Sequence, residues 1–224
     1  MAAVALSEPR VALVTGAETP CGTAVCRALA ATGWTVAAGS ARSAVAAPAG
    51  GASAGRIDPL AFDPADADAA RAAVAETTRR HGAVSLLVTI PSAPAAAAGG
   101  LHAFGEIGPE LLGDALRRTL RATVHCARAA LPGMLDGGGQ IVAVVSAAAL
   151  DGGAGQAHEA AAEAAVIGLA KGLAREYGRR GIAVNALAPG AIAPERIAAS
   201  VAFLANEPHY FAGQVLCPSE GRVL

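Results

Sequence analysis

The sequence predicts an α/β fold, a doubly wound parallel sheet of about seven strands with helices on both faces. Two patterns carry that expectation. Short apolar runs rich in β-branched residues alternate along the chain with Ala-rich segments of helical periodicity. The first strand, turn, helix and second strand together span about thirty residues, the size of a right-handed βαβ crossover. The 224 residues suit a single domain over 1–224, long enough to bury a substantial core. Hydrophobic residues make up 54% but aromatics only 3%, so Ala, Val, Leu and Ile must build that core, and Ala lets helices approach a sheet closely.

Arg10 to Thr15 is a β-branched apolar run that ends at Gly16, as a buried strand feeding a turn does. The helix expected from Gly22 places Val25, Leu29 and Thr32 on one face, and Gly33 closes it. Trp34 to Gly39 is the second strand. Ser43 to Gly55, low in complexity and rich in Gly and Ala, is expected to be a surface loop. Arg56 to Phe62 is the third strand, and Asp66 to His81 a helix opened by acidic residues that suit its N-terminal dipole. Val84 to Ile90 is apolar on both faces and therefore central. Pro91 to Gly100 is a loop, Pro109 to Leu135 mostly helix, and Gln140 to Val145 the fifth strand. From His158 to Tyr177, Ala162, Val166, Leu169, Ala170, Leu173 and Tyr177 recur at three- and four-residue steps, which predicts one buried stripe. Ile182 to Leu187 is the sixth strand, Ile197 to Ala205 a short helix and Gln214 to Cys217 the last strand.

A formal net charge of −1 provides no long-range field for nucleic acid or an anionic membrane, so neither is expected as a partner. MAAVALSEPR lacks a basic leader and runs straight into a strand, unlike a secretory signal. No apolar run approaches bilayer-spanning length. Cys21, Cys26, Cys126 and Cys217 show no C-x-x-C spacing, which points to a cytoplasmic protein with free thiols. The five His are scattered without ligand spacing, and no metal is expected.

Thr15-Gly16-Ala17-Glu18-Thr19-Pro20-Cys21-Gly22 resembles the TGxxxGxG phosphate-binding turn of the short-chain dehydrogenase/reductase family, in which glycines let backbone amides approach a pyrophosphate at a helix N-terminus. Asp63, in AFDPAD, matches the acidic residue that in the family contacts adenine. Gly139 to Ser146 is similar to the strand that ends at the catalytic Ser. Tyr177 to Gly190 is close to the sixth-strand region with its Pro189-Gly190 turn, and Val201 to Leu204 with Phe211 to Gln214 matches the end of the fold. The likeness covers nearly the whole chain and is nearest to ketoreductases acting on acyl-carrier-protein substrates. It implies a Rossmann-type fold, a dinucleotide crevice at Gly16, Gly22, Asp63, Pro189 and Gly190, and assembly through the long helices near 119–134 and 158–177. Arg42 is a candidate for the 2′-phosphate of NADP, because Ser40 stands where an NAD-preferring member carries Asp; a solvated surface Arg is the plainer reading.

The departures fall on the chemistry. Ser146 keeps its place, but Glu159 stands where the family has its catalytic Tyr and Glu163 where it has the Lys that lowers the Tyr pKa. Thr119 aligns with the supporting Asn, and Thr89-Ile90-Pro91-Ser92 with Asn-Asn-Ala-Gly. Pro20 replaces the middle glycine of the phosphate turn, adding ring bulk and removing an N–H. Lys171 lies about three turns beyond Glu159 and cannot substitute for the missing Lys. Between Gly190 and Ile197 only six residues remain where the family carries a helical lid over the substrate, so the lid is shortened and the cleft open.

Glu159 and Glu163, four apart, share a helix face beside Ser146, and paired carboxylates can do acid/base work. The plainer reading is that both stabilise the first turns of a helix, solvated in an open cleft. Ser146 as a nucleophile needs a base, and His158 and Glu159 point about 100° apart on the helix. Cys21, beside a helix N-terminus, is a candidate reactive thiol. Three functions follow in order. The first is a non-redox structural or regulatory subunit, either homo-oligomeric or partnered with an active ketoreductase paralogue, holding NADP(H) weakly or not at all. The second is an acid/base enzyme (dehydratase, isomerase or cyclase) using Glu159 or Glu163 with Ser146. The third is a residual NADPH-dependent oxidoreductase.

Overall fold

In a computed structural model, which describes residues 9–41, 55–92, 100–207 and 211–220, the expected alternation is realised. The strands are β1 (Val11–Val14), β2 (Thr35–Ser40), β3 (Arg56–Ala61), β4 (Leu86–Thr89), β5 (Gly139–Val144), β6 (Ile182–Leu187) and β7 (Val215–Leu216). They form a seven-stranded sheet in the order β3-β2-β1-β4-β5-β6-β7, with every pairing parallel. The order reverses between β1 and β4, and a doubly wound sheet opens its binding crevice at that switch point.

Successive strand residues face opposite sides, so the sheet builds two cores. Ala12, Val14, Leu86, Val88, Val142 and Leu187 pack on one face against Val25 and Leu29 of α1 (Pro20–Ala31) and Val201 and Leu204 of α7 (Pro194–Asn206). Val11, Leu13, Leu87, Ile141 and Val184 pack on the other face. They meet Cys126 and Met134 of α4 (Ala122–Gly137), Val166 and Ala170 of α6 (Ala157–Tyr177), and Ala70 of α2 (Ala67–His81). The central strands β1 and β4 are buried along their whole length, in line with their two-faced apolarity.

Several boundaries differ from the sequence expectations. The first helix starts at Pro20, not Gly22, with Pro at its first position, where a missing N–H costs nothing. Thr32 is its exposed C-cap residue rather than part of the apolar face. The helical segment after Pro109 is α3 (Pro109–Leu116), a π-turn over Arg117–Arg121, then α4. A short α5 (Ala148–Asp151) precedes α6. The expected stripe on α6 splits: Ala162, Val166 and Ala170 are buried, while Leu169, Leu173 and Tyr177 are only half-buried. The last strand keeps only its two central residues. Most of the loops expected at Ser43 to Gly55 and Pro91 to Gly100, with Arg42, lies outside the described residues.

Candidate functional site

The turn after β1 is shaped by two glycines. Gly16 has φ +63°, and a Cβ there would lie 2.5 Å from the Ile90 carbonyl oxygen; at Gly22 it would lie 2.1 Å from the Gly16 oxygen. Several of the turn's donors are used locally. The Gly22 N–H donates to Thr19 Oγ1 at 3.0 Å, the Thr23 N–H to the Thr19 carbonyl at 2.9 Å, and the Thr23 hydroxyl to the Ala17 carbonyl at 2.9 Å. Pro20 contributes no N–H. Both carboxylate oxygens of Glu18 are buried in this turn without a hydrogen-bond partner. Cys21, the candidate reactive thiol, is instead pushed up to about 11 by burial, opposite to activation.

Asp63 follows β3 as expected, but its Oδ2 pairs with Arg117 at 3.1 Å while Oδ1 accepts the Ala65 N–H at 2.9 Å. Pro189 and Gly190 sit beside the Ser146 segment: the Ala147 N–H donates to the Pro189 carbonyl at 3.0 Å, and the Gly190 N–H to the Pro218 carbonyl at 3.1 Å. Beyond them only Ala191, Ile192 and Ala193 bridge to α7, because Pro194 already begins the helix. The connection is thus shorter than its six residues implied.

Ser146 leaves the end of β5 and meets the first turns of α6. There Glu163 Oε2 accepts the Ser146 N–H at 3.1 Å and also the Ser146 hydroxyl. The expectation of two solvated carboxylates is not met. Burial is the largest influence on Glu163 and raises its pKa; the two Ser146 hydrogen bonds and Arg118 oppose that, and Glu159 adds to it. Glu159 bonds directly to Arg118 Nη2. Arg118 is only 6% exposed and also donates to Asp114 Oδ2 at 2.9 Å and the Ser92 carbonyl at 3.3 Å. A π-turn widens the helix by one residue and commonly marks functional positions; here it carries Arg117 toward Asp63 and Arg118 toward Glu159.

His158 stands in the first turn of α6, as expected, but is 3% exposed. Both its ring nitrogens lack a hydrogen-bond partner, and its ring meets His102 edge-on at 5.7 Å. Thr119 is buried with its hydroxyl unpartnered, so it does not do the positioning expected of the Asn it aligns with. Lys171 lies exposed on α6, away from the site.

The residues picked from sequence thus fall into two groups. Ser146 and Glu163 meet directly with Pro189 and Gly190 close by, whereas Glu159 is drawn to Arg118 and Asp63 to Arg117. Sequence reasoning missed Arg117, Arg118, Asp114 and His102. One signal was available for Arg118: it immediately precedes Thr119, and Asp114 four residues earlier is its natural helix-surface partner. Among the described residues no group of His, Cys, Asp and Glu has the geometry to hold a metal ion. No described helix is long and apolar enough to cross a membrane.

Against known proteins, the family model for short chain dehydrogenase matches residues 10–202. The acetoacetyl-CoA reductase of Rhizobium meliloti is 34% identical over 199 residues, covering 88% of this chain and 80% of that protein. The 3-oxoacyl-[acyl-carrier-protein] reductase of Synechocystis is 31% identical over 248 residues, covering 96% and 97%. A solved mutant short-chain dehydrogenase/reductase of Serratia marcescens superposes with a TM-score of 0.81 at 30% identity, covering 95% of this chain and 96% of that one.

Proposed function

Because the chain belongs to the short-chain dehydrogenase/reductase family, and is ketoreductase-like within it, we propose that it is a non-redox member serving as a structural or regulatory subunit. The observation that carries this reading is that Glu163 accepts both the hydroxyl and the amide hydrogen of Ser146. The group that an active relative offers to a substrate carbonyl is here turned inward to a carboxylate. Glu159 is held by Arg118 in the same way, so Ser146 and the two glutamates are engaged within the protein rather than offered to a ligand.

The crevice supports the same reading from the cofactor side. A pyrophosphate needs free amides at the head of α1, yet Pro20 has none and the Gly22 N–H is given to Thr19. The carboxylate of Glu18 repels a phosphate, and Asp63 is tied to Arg117. These residues do not fit a dinucleotide, and NADP(H) is taken to bind weakly or not at all. We place the chain in the cytoplasm as one domain over 1–224. It assembles through α4 and α6 with a second copy or an active ketoreductase paralogue. Leu131 of α4 with Leu169, Leu173 and Tyr177 of α6 lines a cavity of about 110 Å³ between those helices, and these half-buried apolar side chains suit a partner helix.

The alternative of an acid/base enzyme is favoured by one observation. Burial raises the Glu163 pKa, the direction that suits a general base, beside Ser146, which would serve as a hydrogen-bond donor. A pull-down from the native host separates the readings: an intact reductase recovered at a fixed ratio supports the subunit role, and a purely homomeric product with turnover lost in Glu163→Gln supports the enzyme. Calorimetric titration tests the residual oxidoreductase. Saturable NADPH binding below millimolar concentration would overturn the non-redox reading.

A further inference from the structure

We propose that the crevice beside the turn after β1, which does not fit a phosphate, takes a ligand bearing a primary ammonium group, held by Glu18. The inference rests on the reading that no dinucleotide is held there, and names what the same place suits instead. This turn lies at the switch point between β1 and β4, where a doubly wound sheet opens its crevice. Val11 to Ala17 are all buried, and Glu18 is the first residue beyond them to keep part of its surface. Its two carboxylate oxygens are nevertheless shut off from solvent, and neither has a hydrogen-bond partner. Burying a charge is costly unless it is paired and hydrogen-bonded. A buried group left unsatisfied in a folded protein points to a missing water, ion or ligand.

The turn does not satisfy Glu18 itself. The Ala17 N–H donates to the Gly39 carbonyl at 3.1 Å, the Thr19 N–H to the Gly16 carbonyl at 3.0 Å, and the Gly22 N–H to Thr19 Oγ1. The Thr19 and Thr23 hydroxyls go to the Gly16 and Ala17 carbonyls, at 2.8 and 2.9 Å, and Pro20 has no N–H. The other carboxylates of the crevice and the old site are answered from within the chain. Asp63 pairs with Arg117, Glu159 with Arg118, and Glu163 accepts from Ser146, so Glu18 alone of these four still needs donors. A cation supplies them. A metal ion wants further side-chain ligands, and no described group of His, Cys, Asp and Glu provides a set. A primary ammonium is complete with one carboxylate and backbone acceptors, because it is a compact charge with three donors.

The test is calorimetric titration of the full chain with butylammonium, butanol and butyrate, which share one short apolar body and differ in charge. Butylammonium is expected to bind saturably at one per chain, with butanol and butyrate giving no saturable heat. Glu18→Gln keeps the shape, removes the charge and weakens butylammonium about tenfold, the loss of a charge-assisted pair; circular dichroism checks that the variant folds. Asp68→Asn, which removes an exposed surface carboxylate, leaves the affinity unchanged. A wild-type chain without saturable butylammonium binding overturns the proposal whatever the variants do. So does butyrate binding as tightly, or an affinity that Glu18→Gln leaves intact or that Asp68→Asn also lowers. NADPH titrated separately keeps the two readings apart. Absence of both NADPH and butylammonium binding overturns the ammonium site alone, and saturable NADPH binding overturns the non-redox reading on which that site rests.

Discussion

The Ser146–Glu163 contact gives the sharpest test of an inward-turned site, through a double-mutant cycle of Ser146→Ala and Glu163→Gln. Above its raised folded-state pKa the Glu163 carboxylate accepts two hydrogen bonds from Ser146. Removing the hydroxyl takes away a bond to a charged group, worth about 1.5–3 kcal/mol. Gln at 163 keeps the size and one acceptor oxygen but makes an ordinary bond, worth about 0.5–1.5 kcal/mol. Ser146→Ala should therefore cost about 1 kcal/mol more in the wild-type background than in Glu163→Gln, read by urea unfolding. The pH dependence adds an independent sign. Burial raises the folded-state pKa of Glu163 above its unfolded value, so the folded state holds the proton more tightly. That stabilisation is fully present below the unfolded pKa and is lost as pH rises through the folded one. Relative to Glu163→Gln, the wild type should lose stability as pH rises from about 4 through the raised folded-state pKa of Glu163. Equal costs of Ser146→Ala in both backgrounds would refute the contact, and a wild-type advantage that grows with pH would refute burial as the dominant influence on Glu163.

Three further outcomes are expected. Arg118→Met leaves Glu159 and Asp114 without their shared partner, and because Glu159 is still 20% exposed the loss should be about 2 kcal/mol, below the 3–5 of a fully buried pair; thermal unfolding measures it. With its pKa pushed up to about 11 from 9.0, Cys21 carries about a hundredfold less thiolate at pH 7 than a free thiol. A maleimide time course resolved by peptide mass should therefore label the exposed Cys217 well before it. Leu173→Glu on the open face of α6 should shift the sedimenting species toward monomer without lowering the unfolding temperature by more than a few degrees, since Leu173 is only half-buried.

The sheet was legible because its information is local. Runs such as VSLLVTI and RVALVT state a two-faced burial that β4 and β1 then show, and Gly16 and Gly22 announce a turn with no room for a side chain. Ser146 and Glu163 were nominated together, yet nothing in their spacing says that the carboxylate turns toward the serine and not toward solvent. The Arg118–Glu159 pair joins residues forty-one apart, and a π-turn, which no local pattern of RRTLR announces, aims the guanidinium. The error about solvation had a physical source. A shortened lid opens the cleft from above, but the segment carrying His102 packs against the Gly155 loop, where the His102 N–H donates to the Gly155 carbonyl at 2.8 Å, and closes it from the side.

The charges explain why these changes belong together. If Glu163 stands in the place of the family's Lys, as proposed, the charge at that position is inverted, and Glu159 adds a second negative charge on the same helix face. Two carboxylates so placed would repel each other and open the first turns of α6 if left alone. The compensating cation comes from another element: Arg118, from the π-turn, neutralises Glu159, and the Ser146 donors share the burden of Glu163. Arg117, the next residue back, does the same for Asp63 at the far end of the crevice. Two adjacent arginines thus fasten the helical wall to both halves of a cleft that in an active relative must receive a dinucleotide between them. On the proposed non-redox reading, placing Tyr at 159 and Lys at 163 alone would strand Arg118 beside a new cation and leave Pro20 and Glu18 in the turn after β1, so hydride transfer would require changes at the turn and at Arg118 as well as on α6.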